Sequence, residues 1–165
     1  MAKVSLTAIG RSAKRAVIGA IKSTGDTAEG IVEATRDVLK VTVDGVTQVA
    51  VAVEKGAFEI VSGAVIGAVE VGGDVGVAIK AAVSGIVQGT AEVGGDVGKV
   101  AVSATEGAIK AAGDVGANLS EATKQAVTGA IEAADAIGTD AAKTVRDVLT
   151  TSVKGAKDVI KQPFK

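Results

Sequence analysis

The sequence contains a 22-residue repeat, and this repeat constrains the fold more than any other feature of the chain. The hexapeptide Val-Gly-Gly-Asp-Val-Gly occurs at residues 71–76 and again at residues 93–98. Related blocks keep the same frame without a gap, and seven units begin at residues 19, 41, 63, 85, 107, 129 and 151. A period of this length indicates a structure built from copies of one local unit. We therefore divide the chain into a basic amphipathic N-terminal segment (1–22), an overlapping repeat region (19–160) and a short tail (161–165).

Apolar residues also recur with a period of half the repeat length. Eleven residues make three turns of about 3.67 residues each, so such a pattern stays on one side of a nearly straight α-helix. Two apolar columns with this spacing predict one broad apolar face, opposite a mostly polar column. The main members of this face are Val38, Val49, Val53, Ile60, Val71, Val75, Ile86, Val93, Val97, Val115, Leu119, Ile137 and Val148.

Small residues form a third column at the same spacing. Small residues at helical spacing allow two helix backbones to approach closely. The sequence therefore predicts a helix-packing seam. Its glycines are Gly45, Gly56, Gly67, Gly89 and Gly155, with Gly63, Gly85, Gly107 and Gly129 alongside.

The fold predicted from these columns is all-α, with one long amphipathic helix or a helical hairpin of low contact order rather than a compact globule. In this interpretation the Val-Gly-Gly-Asp segments are part of a helix surface. One alternative makes Gly72 and Gly73 a helix stop and Asp74 an N-cap, which would give short helices or hairpins. A second alternative is a β-solenoid with one repeat unit per coil, favoured by the valine content and opposed by the helical spacing.

The composition leaves little room for chemistry. The chain has two Phe, no Trp or Tyr, and neither Cys nor His, so thiolate chemistry and imidazole ligands are excluded. Asp74, Asp96, Asn118 and Asp140 recur once per unit, too far apart along one helix to share a metal ion. The Gly-Gly-Asp segments also lack the Lys-Ser/Thr of a phosphate loop. We expect no catalytic, metal-binding or cofactor-binding residues, no cofactor, no small-molecule substrate and no enzymatic activity.

Charge is distributed unevenly along the chain. Residues 1–22 carry a net charge of +5, residues 23–142 carry −10, and residues 143–165 carry +4. Basic ends of this kind suit an anionic lipid surface or the acidic middle of another molecule, whereas nucleic acid is not expected because no aromatic residues accompany the bases. The N-terminal bases are Lys3, Arg11, Lys14, Arg15 and Lys22.

The periodicity and the composition resemble those of known lipid-associated families. The 11-residue period with few aromatic residues resembles the synucleins, and the 22-residue units are similar to those of exchangeable apolipoproteins and perilipins. The resemblance implies reversible binding of long amphipathic helices to membranes, lipid droplets or lipoprotein particles. The chain departs from these families because it lacks a KTKEGV-type core and regularly spaced prolines, and because the middle of its polar face is acidic.

The function predicted from the sequence is that of a non-enzymatic protein that coats a lipid, membrane or granule surface and self-associates. The alternative is a structural bundle or filament that assembles from copies of itself without lipid. A β-solenoid structural protein is a more distant alternative. The expected partners are a lipid surface or further copies of the chain, in a homo-oligomer, and the expected location is cytoplasmic and peripheral to that surface.

Overall fold

The chain folds into eight helices, α1 to α8, in a computed structural model that describes residues 7–25, 27–44 and 49–161. Side chains are described throughout these ranges except at residues 24, 27, 43, 44, 49–53 and 161. The helices are α1 (Ala8–Thr24), α2 (Thr27–Asp44), α3 (Val49–Glu70), α4 (Val75–Glu92), α5 (Val97–Asp114), α6 (Leu119–Ile137), α7 (Thr139–Ser152) and α8 (Ala156–Lys161). No strand occurs in these ranges, so the β-solenoid alternative has no support there.

The Val-Gly-Gly-Asp segments are turns in which one helix ends and the next begins. Gly72 has a φ of +82°, a left-handed conformation that is strained for residues with a Cβ. Its N–H donates to the carbonyl of Val69 at 3.0 Å, and the Gly73 N–H donates to the carbonyl of Ala68 at 2.8 Å. This pair of hydrogen bonds is a Schellman motif, which satisfies carbonyls that the ending helix would leave unpaired. The helix therefore ends at Glu70, and Gly72 turns the chain away from its axis.

At three turns the polar residue that follows caps the next helix. The side chain of Asp74 accepts a hydrogen bond from the Val77 backbone N–H at 2.9 Å. Asp96 and Asn118 accept in the same way from Lys99 and Glu121, at 3.1 and 3.0 Å. Gly94 and Gly116 also repeat the positive φ of Gly72. In this part of the chain, one repeat unit is thus one helix followed by one turn.

The helices stack into a repeat array. Within the described ranges, each helix packs only against helices one or two places away in the chain. The contacts between helices two places apart dominate for α1 with α3, α2 with α4, α3 with α5 and α4 with α6. The odd-numbered helices therefore form one layer and the even-numbered helices another. Such quasi-one-dimensional packing is typical of helical-repeat proteins.

The core between the layers is made of small and branched aliphatic side chains. Alanine is its most frequent residue, and the largest fully buried side chains are Ile and Leu, including Ile31, Ile60, Ile86 and Leu149. The helices are held together by many long-range contacts along the whole array. The predicted single long helix or hairpin of low contact order is therefore wrong. The physical reason is that at three turns of the described repeat region a left-handed glycine ends one helix and an Asp or Asn side chain caps the next.

The left-handed glycines provide a direct test of these turns. We expect Gly94→Ala to lower the free energy of unfolding by roughly 1–2 kcal/mol, because a Cβ is strained at a φ of +75°. The matched control is Gly113→Ala, inside α5, where an added Cβ would meet Leu119 only at an ordinary 3.8 Å. This control should raise the unfolding free energy by a few tenths to about 1 kcal/mol. Urea unfolding of both variants measures the difference, and equal effects would contradict the turn.

Candidate functional site

The glycines that recur once per repeat unit mark the places where helices two apart touch backbone to backbone. A Cβ added at Gly107 in α5 would lie 2.5 Å from the carbonyl oxygen of Phe58 in α3. A Cβ added at Gly129 in α6 would lie 2.6 Å from the carbonyl oxygen of Lys80 in α4. Gly63 meets the backbone of Gly10 in the same manner. These contacts are too close for any side chain, so glycine sets the spacing of the helices.

The contacts also give the direction in which the helices of one layer run. Gly63 in α3 lies on Gly10 in α1, and Gly67, one turn further along α3, lies on Lys14, one turn further along α1. Both residue numbers increase together from one contact to the next. The two helices are therefore parallel.

The register between helices of one layer changes along the array. Gly85 in α4 contacts Val32 in α2 with the same offset in residue number as the contacts between α3 and α1. For the contacts of α5 with α3 and of α6 with α4, the offset is shorter by about one helical turn. The repeat units are therefore not stacked in one constant register.

The glycines of the predicted seam lie at contacts of several kinds. Gly67 is close to the Lys14 carbonyl, at 2.9 Å for an added Cβ, and Gly89 is close to Leu39, at 3.1 Å. Gly56 is buried but has only ordinary neighbours, and Gly155 has a positive φ in a turn. Gly45 lies outside the described residues. The closest approaches belong to the neighbouring set that contains Gly63, Gly85, Gly107 and Gly129.

The predicted apolar face is divided between the core and the turns. Ile60 and Ile86 are fully buried. Half-buried positions are Val38, Val71, Val75, Val93, Val97, Val115 and Val148, while Leu119 and Ile137 are exposed. Most of the half-buried valines lie at a helix end, where Val93 and Val115 are C-cap residues and Val75 and Val97 are first helical residues. The side chains of Val49 and Val53 lie outside the described part of the structure.

Ion pairs between described side chains join helices that are two apart, and in these pairs the base lies on the earlier helix. Lys14 in α1 pairs with Glu70 in α3 at 2.6 Å. Arg36 and Lys40 in α2 both pair with Glu92 in α4, with Lys40 at 2.6 Å. Lys80 in α4 pairs with Glu132 in α6 at 3.1 Å. These pairs lie at the edges of the same contacts that the glycines make.

The pair with Lys40 and Arg36 lowers the pKa of the Glu92 carboxylate. The hydrogen bond from Lys40, together with Arg36, holds the pKa of Glu92 below its ordinary value of 4.5, against the opposing effect of burial. A lowered pKa means that ionised Glu92 stabilises the folded state above pH 4.5, and that this stabilisation is lost as the pH falls below that value.

Surface grooves accompany this packing, and two of them are lined in part by α2. The larger, of about 660 Å³, crosses α2, α4 and α6 and is lined by Val32, Asp74, Lys80, Glu121 and Glu132 among others. The smaller, of about 380 Å³, lies between α1 and α2 and is lined by Ala8, Ile9, Ser12, Asp37, Val38, Val41 and Thr42. Val41 is 73% exposed, the highest value among the exposed large apolar side chains of the described ranges. The sequence analysis did not identify Val41 as an exposed groove residue. Val41 continues a row of exposed residues on α2, namely Glu29, Glu33 and Asp37, at four-residue spacing.

The predicted basic N-terminal residues have separate environments. Lys14 is half-buried in its pair with Glu70, whereas Arg11, Arg15 and Lys22 are exposed on α1. Lys3 lies outside the described residues. In residues 7–25, 27–44 and 49–161, no group of three or more acidic side chains could hold a metal ion. None of the helices in these ranges combines the length and hydropathy needed to cross a bilayer.

Comparisons with other proteins give a structural likeness and no sequence match. No protein-family model and no curated protein sequence matches the chain. Among solved structures, the chain is similar to the de novo designed helical repeat protein DHR7, with a TM-score of 0.48 and 20% sequence identity. The match covers 93% of this chain and 88% of the designed protein.

The close contacts predict which glycine tolerates a side chain. We expect Gly107→Ala to lower the free energy of unfolding by about 1–3 kcal/mol, because α3 and α5 must move apart. The control is Gly56→Ala, also buried, where the nearest atoms to an added Cβ are 3.6 and 3.9 Å away. It should be neutral or stabilising by up to about 1 kcal/mol. Thermal or urea unfolding decides the matter, and the reverse order would refute the seam contacts.

The Glu92 pairs predict a specific dependence on pH. We expect Glu92→Gln to lower the unfolding free energy at pH 7 by about 0.5–1 kcal/mol, because the pairs are partly exposed to solvent. Lys110 and Asp114, an exposed pair within α5, provide the control through Asp114→Asn, with a smaller effect of about 0.3–0.5 kcal/mol. The difference between wild type and Glu92→Gln should vanish as the pH falls well below 4.5. A difference that is constant from pH 7 to pH 3 would contradict the role of the ionised carboxylate.

Proposed function

We propose that the protein is a non-enzymatic structural protein whose helical-repeat array associates with further copies of itself in the absence of lipid. This proposal rests on one observation, which is that large aliphatic side chains of the repeat are buried between the helices of the array. Ile60, Ile86, Val61, Val83 and Val127 are fully buried between its own helices. A helix whose apolar side chains are already removed from water has little left to gain from a lipid surface.

The lipid-coating function predicted from the sequence would require this array to open. Opening would expose the buried Ile, Val and Leu side chains and separate the backbone contacts at Gly107 and Gly129. A lipid surface would have to compensate for both losses. The structural function requires no such rearrangement, because the folded array already presents helices and end surfaces to another copy. We therefore favour the structural function.

The two functions differ in where the helices form. We expect full helical content and cooperative unfolding in lipid-free buffer, and no further helix on addition of anionic phospholipid vesicles, measured by circular dichroism. Sedimentation should show a species larger than the 16.1 kDa monomer under the same conditions. Weak helicity in buffer with a large gain on vesicles would support lipid coating instead. A monomer at every concentration would refute self-association.

A matched pair of variants separates a folded array from a loose helix that awaits a surface. Ile86→Asp places a charge at a fully buried position in α4 and should abolish the helical signal in lipid-free buffer. Lys124→Asp, at an exposed position in α6, should leave it nearly unchanged. If Ile86→Asp kept the helicity of wild type in buffer and lost only vesicle binding, the buried position would belong to a lipid-binding face.

A further inference from the structure

In the part of the chain that the structure describes, the first two helices form one end of the array and are packed against other helices on one side only. In the described ranges, α1 packs against α2 and α3, and α2 packs against α1, α3 and α4. An internal helix such as α4 instead has neighbours on both sides, α2 and α6. The end of a repeat array needs either a polar outer surface or a partner to remain soluble. The outer side of the α1–α2 pair therefore requires an explanation.

This end surface carries an apolar groove. Ile9 on α1 lies opposite Val38 and Val41 on α2, and Val41 keeps 73% of its surface exposed. The groove has a volume of about 380 Å³ and only two polar side chains with hydroxyls, Ser12 and Thr42, besides Asp37 at its edge. An isolated apolar groove of this kind on an end surface is typical of a contact site.

The two helices of the end surface carry opposite exposed charges. α1 contains four bases and no acid, and Arg15 and Lys22 are exposed. On α2 the exposed residues include Glu33 and Asp37, while its two bases are engaged by Glu92 of α4. No ion pair joins Arg15 to Glu33 or Asp37 among the described side chains. One helix of the pair is thus a cationic ridge and the other an anionic ridge.

The antiparallel arrangement fixes the heights of these groups along the pair. An added Cβ at Gly30, near the start of α2, would meet the backbone of Ala20, near the end of α1, while Ile9 at the start of α1 and Val41 near the end of α2 line the same groove. The same register puts Arg15 at the height that lies between Glu33 and Asp37. The charged side chains and the apolar groove therefore lie at different positions along the helix axes.

We propose that a second copy of this chain docks on the α1–α2 surface through a two-fold axis parallel to the helices. Such an axis lays α1 of each copy over α2 of the other and keeps every residue at its own height. Arg15 then faces the partner's Glu33 and Asp37, and each Val41 groove faces the other groove. The surface is complementary to itself in both charge and polarity, as an isologous interface requires. The inference rests on the proposed self-association and names the surface that makes it.

The size of the surface fits a reversible dimer. A 17-residue helix is about 26 Å long, and two adjacent helices are about 20 Å wide, so each copy would bury roughly 500 Å². The total of about 1,000 Å² is at the lower limit for a specific interface. We therefore expect a dimer whose population depends on protein concentration.

The first test uses the apolar groove. In sedimentation equilibrium, Val41→Asp should raise the dimer dissociation constant by about a hundredfold, because the symmetric interface contains the substitution twice. Val77→Asp is the matched control, since Val77 is exposed on α4, away from this surface, and it should leave the constant unchanged. Circular dichroism checks that both variants are folded. An unchanged dissociation constant for Val41→Asp would overturn the proposed interface.

The second test uses charge exchange between the helices. Arg15→Glu alone, and the double variant Glu33→Lys/Asp37→Lys alone, should each weaken the homodimer about tenfold or more, because like charges would face each other twice. An equimolar mixture of the two variants should dimerise about as well as wild type, since α1 of one then opposes α2 of the other with opposite charges. A mixture that stays monomeric would overturn the two-fold arrangement. A head-to-tail contact would not reproduce the recovery of dimerisation in the mixture.

The remaining outcomes separate this inference from the proposed function. If the Val41→Asp variant still forms the particles that wild type forms, the protein self-associates through another surface. This outcome overturns the inference but not the proposed function. Wild type that is monomeric at every concentration would refute the proposed function as well. A monomeric full-length chain whose variant lacking residues 1–6 dimerises would show that the chain's own first residues occupy the groove, and this also overturns the inference.

Discussion

The array depends on the close approach of helix backbones at glycine. Its core is mainly alanine and valine, and none of the largest fully buried side chains is aromatic. With such small side chains, helices at ordinary spacing would leave voids, and each void forfeits dispersion contacts. Glycine at Gly63, Gly85, Gly107 and Gly129 removes the Cβ that would hold the helices apart. The backbone of one helix then fills the space that a larger side chain fills in other cores.

This packing also explains how a glycine-rich chain can be helical. Each glycine inside a helix costs about 1 kcal/mol relative to alanine, so an isolated helix of this composition would be weak in water. The cost is offset where the glycine permits contact with the next helix of its layer. At Gly107 the contact includes a buried hydrogen bond, in which the Ser62 hydroxyl donates to the Gly107 carbonyl at 3.1 Å. Helix formation and stacking are therefore coupled in each unit.

The sequence predicted an all-helical chain but not where its helices end. The repeat unit is twice as long as the apolar period, so apolar residues recur at the same spacing in either structure. The unit can be a continuous helix, or it can be a helix followed by a turn, as in α4 and α5. The phase of Val71, Val93 and Val115 therefore could not distinguish the two. The local signal that does distinguish them is the glycine pair before Asp74 and before Asp96. At the turn between α5 and α6, the corresponding residues are Gly116, Ala117 and Asn118. The turn keeps the left-handed glycine and a polar cap but lacks the glycine pair, so the local signal is weaker there.

Surfaces were harder to predict than the core because they depend on which helices become neighbours. The exposed position of Val41 follows from its place on the end pair, and no property of its own unit determines that place. The same holds for Gly56 and Gly107, which are both buried glycines but differ in what lies opposite. The offsets in residue number between the close-contact glycines and their partners are not multiples of the repeat length, so the repeat alone does not give the register.

The charge distribution along the chain acquires a physical meaning from this register. Lys14, from the basic first segment, reaches Glu70 in the acidic middle, and Arg36 and Lys40 reach Glu92. The attraction between the basic start and the acidic centre is thus partly satisfied within one molecule. These ion pairs, and that of Lys80 with Glu132, lie beside the close contacts at Gly67, Gly89 and Gly129, so they reinforce the observed register, while glycine and the apolar side chains supply the contact itself.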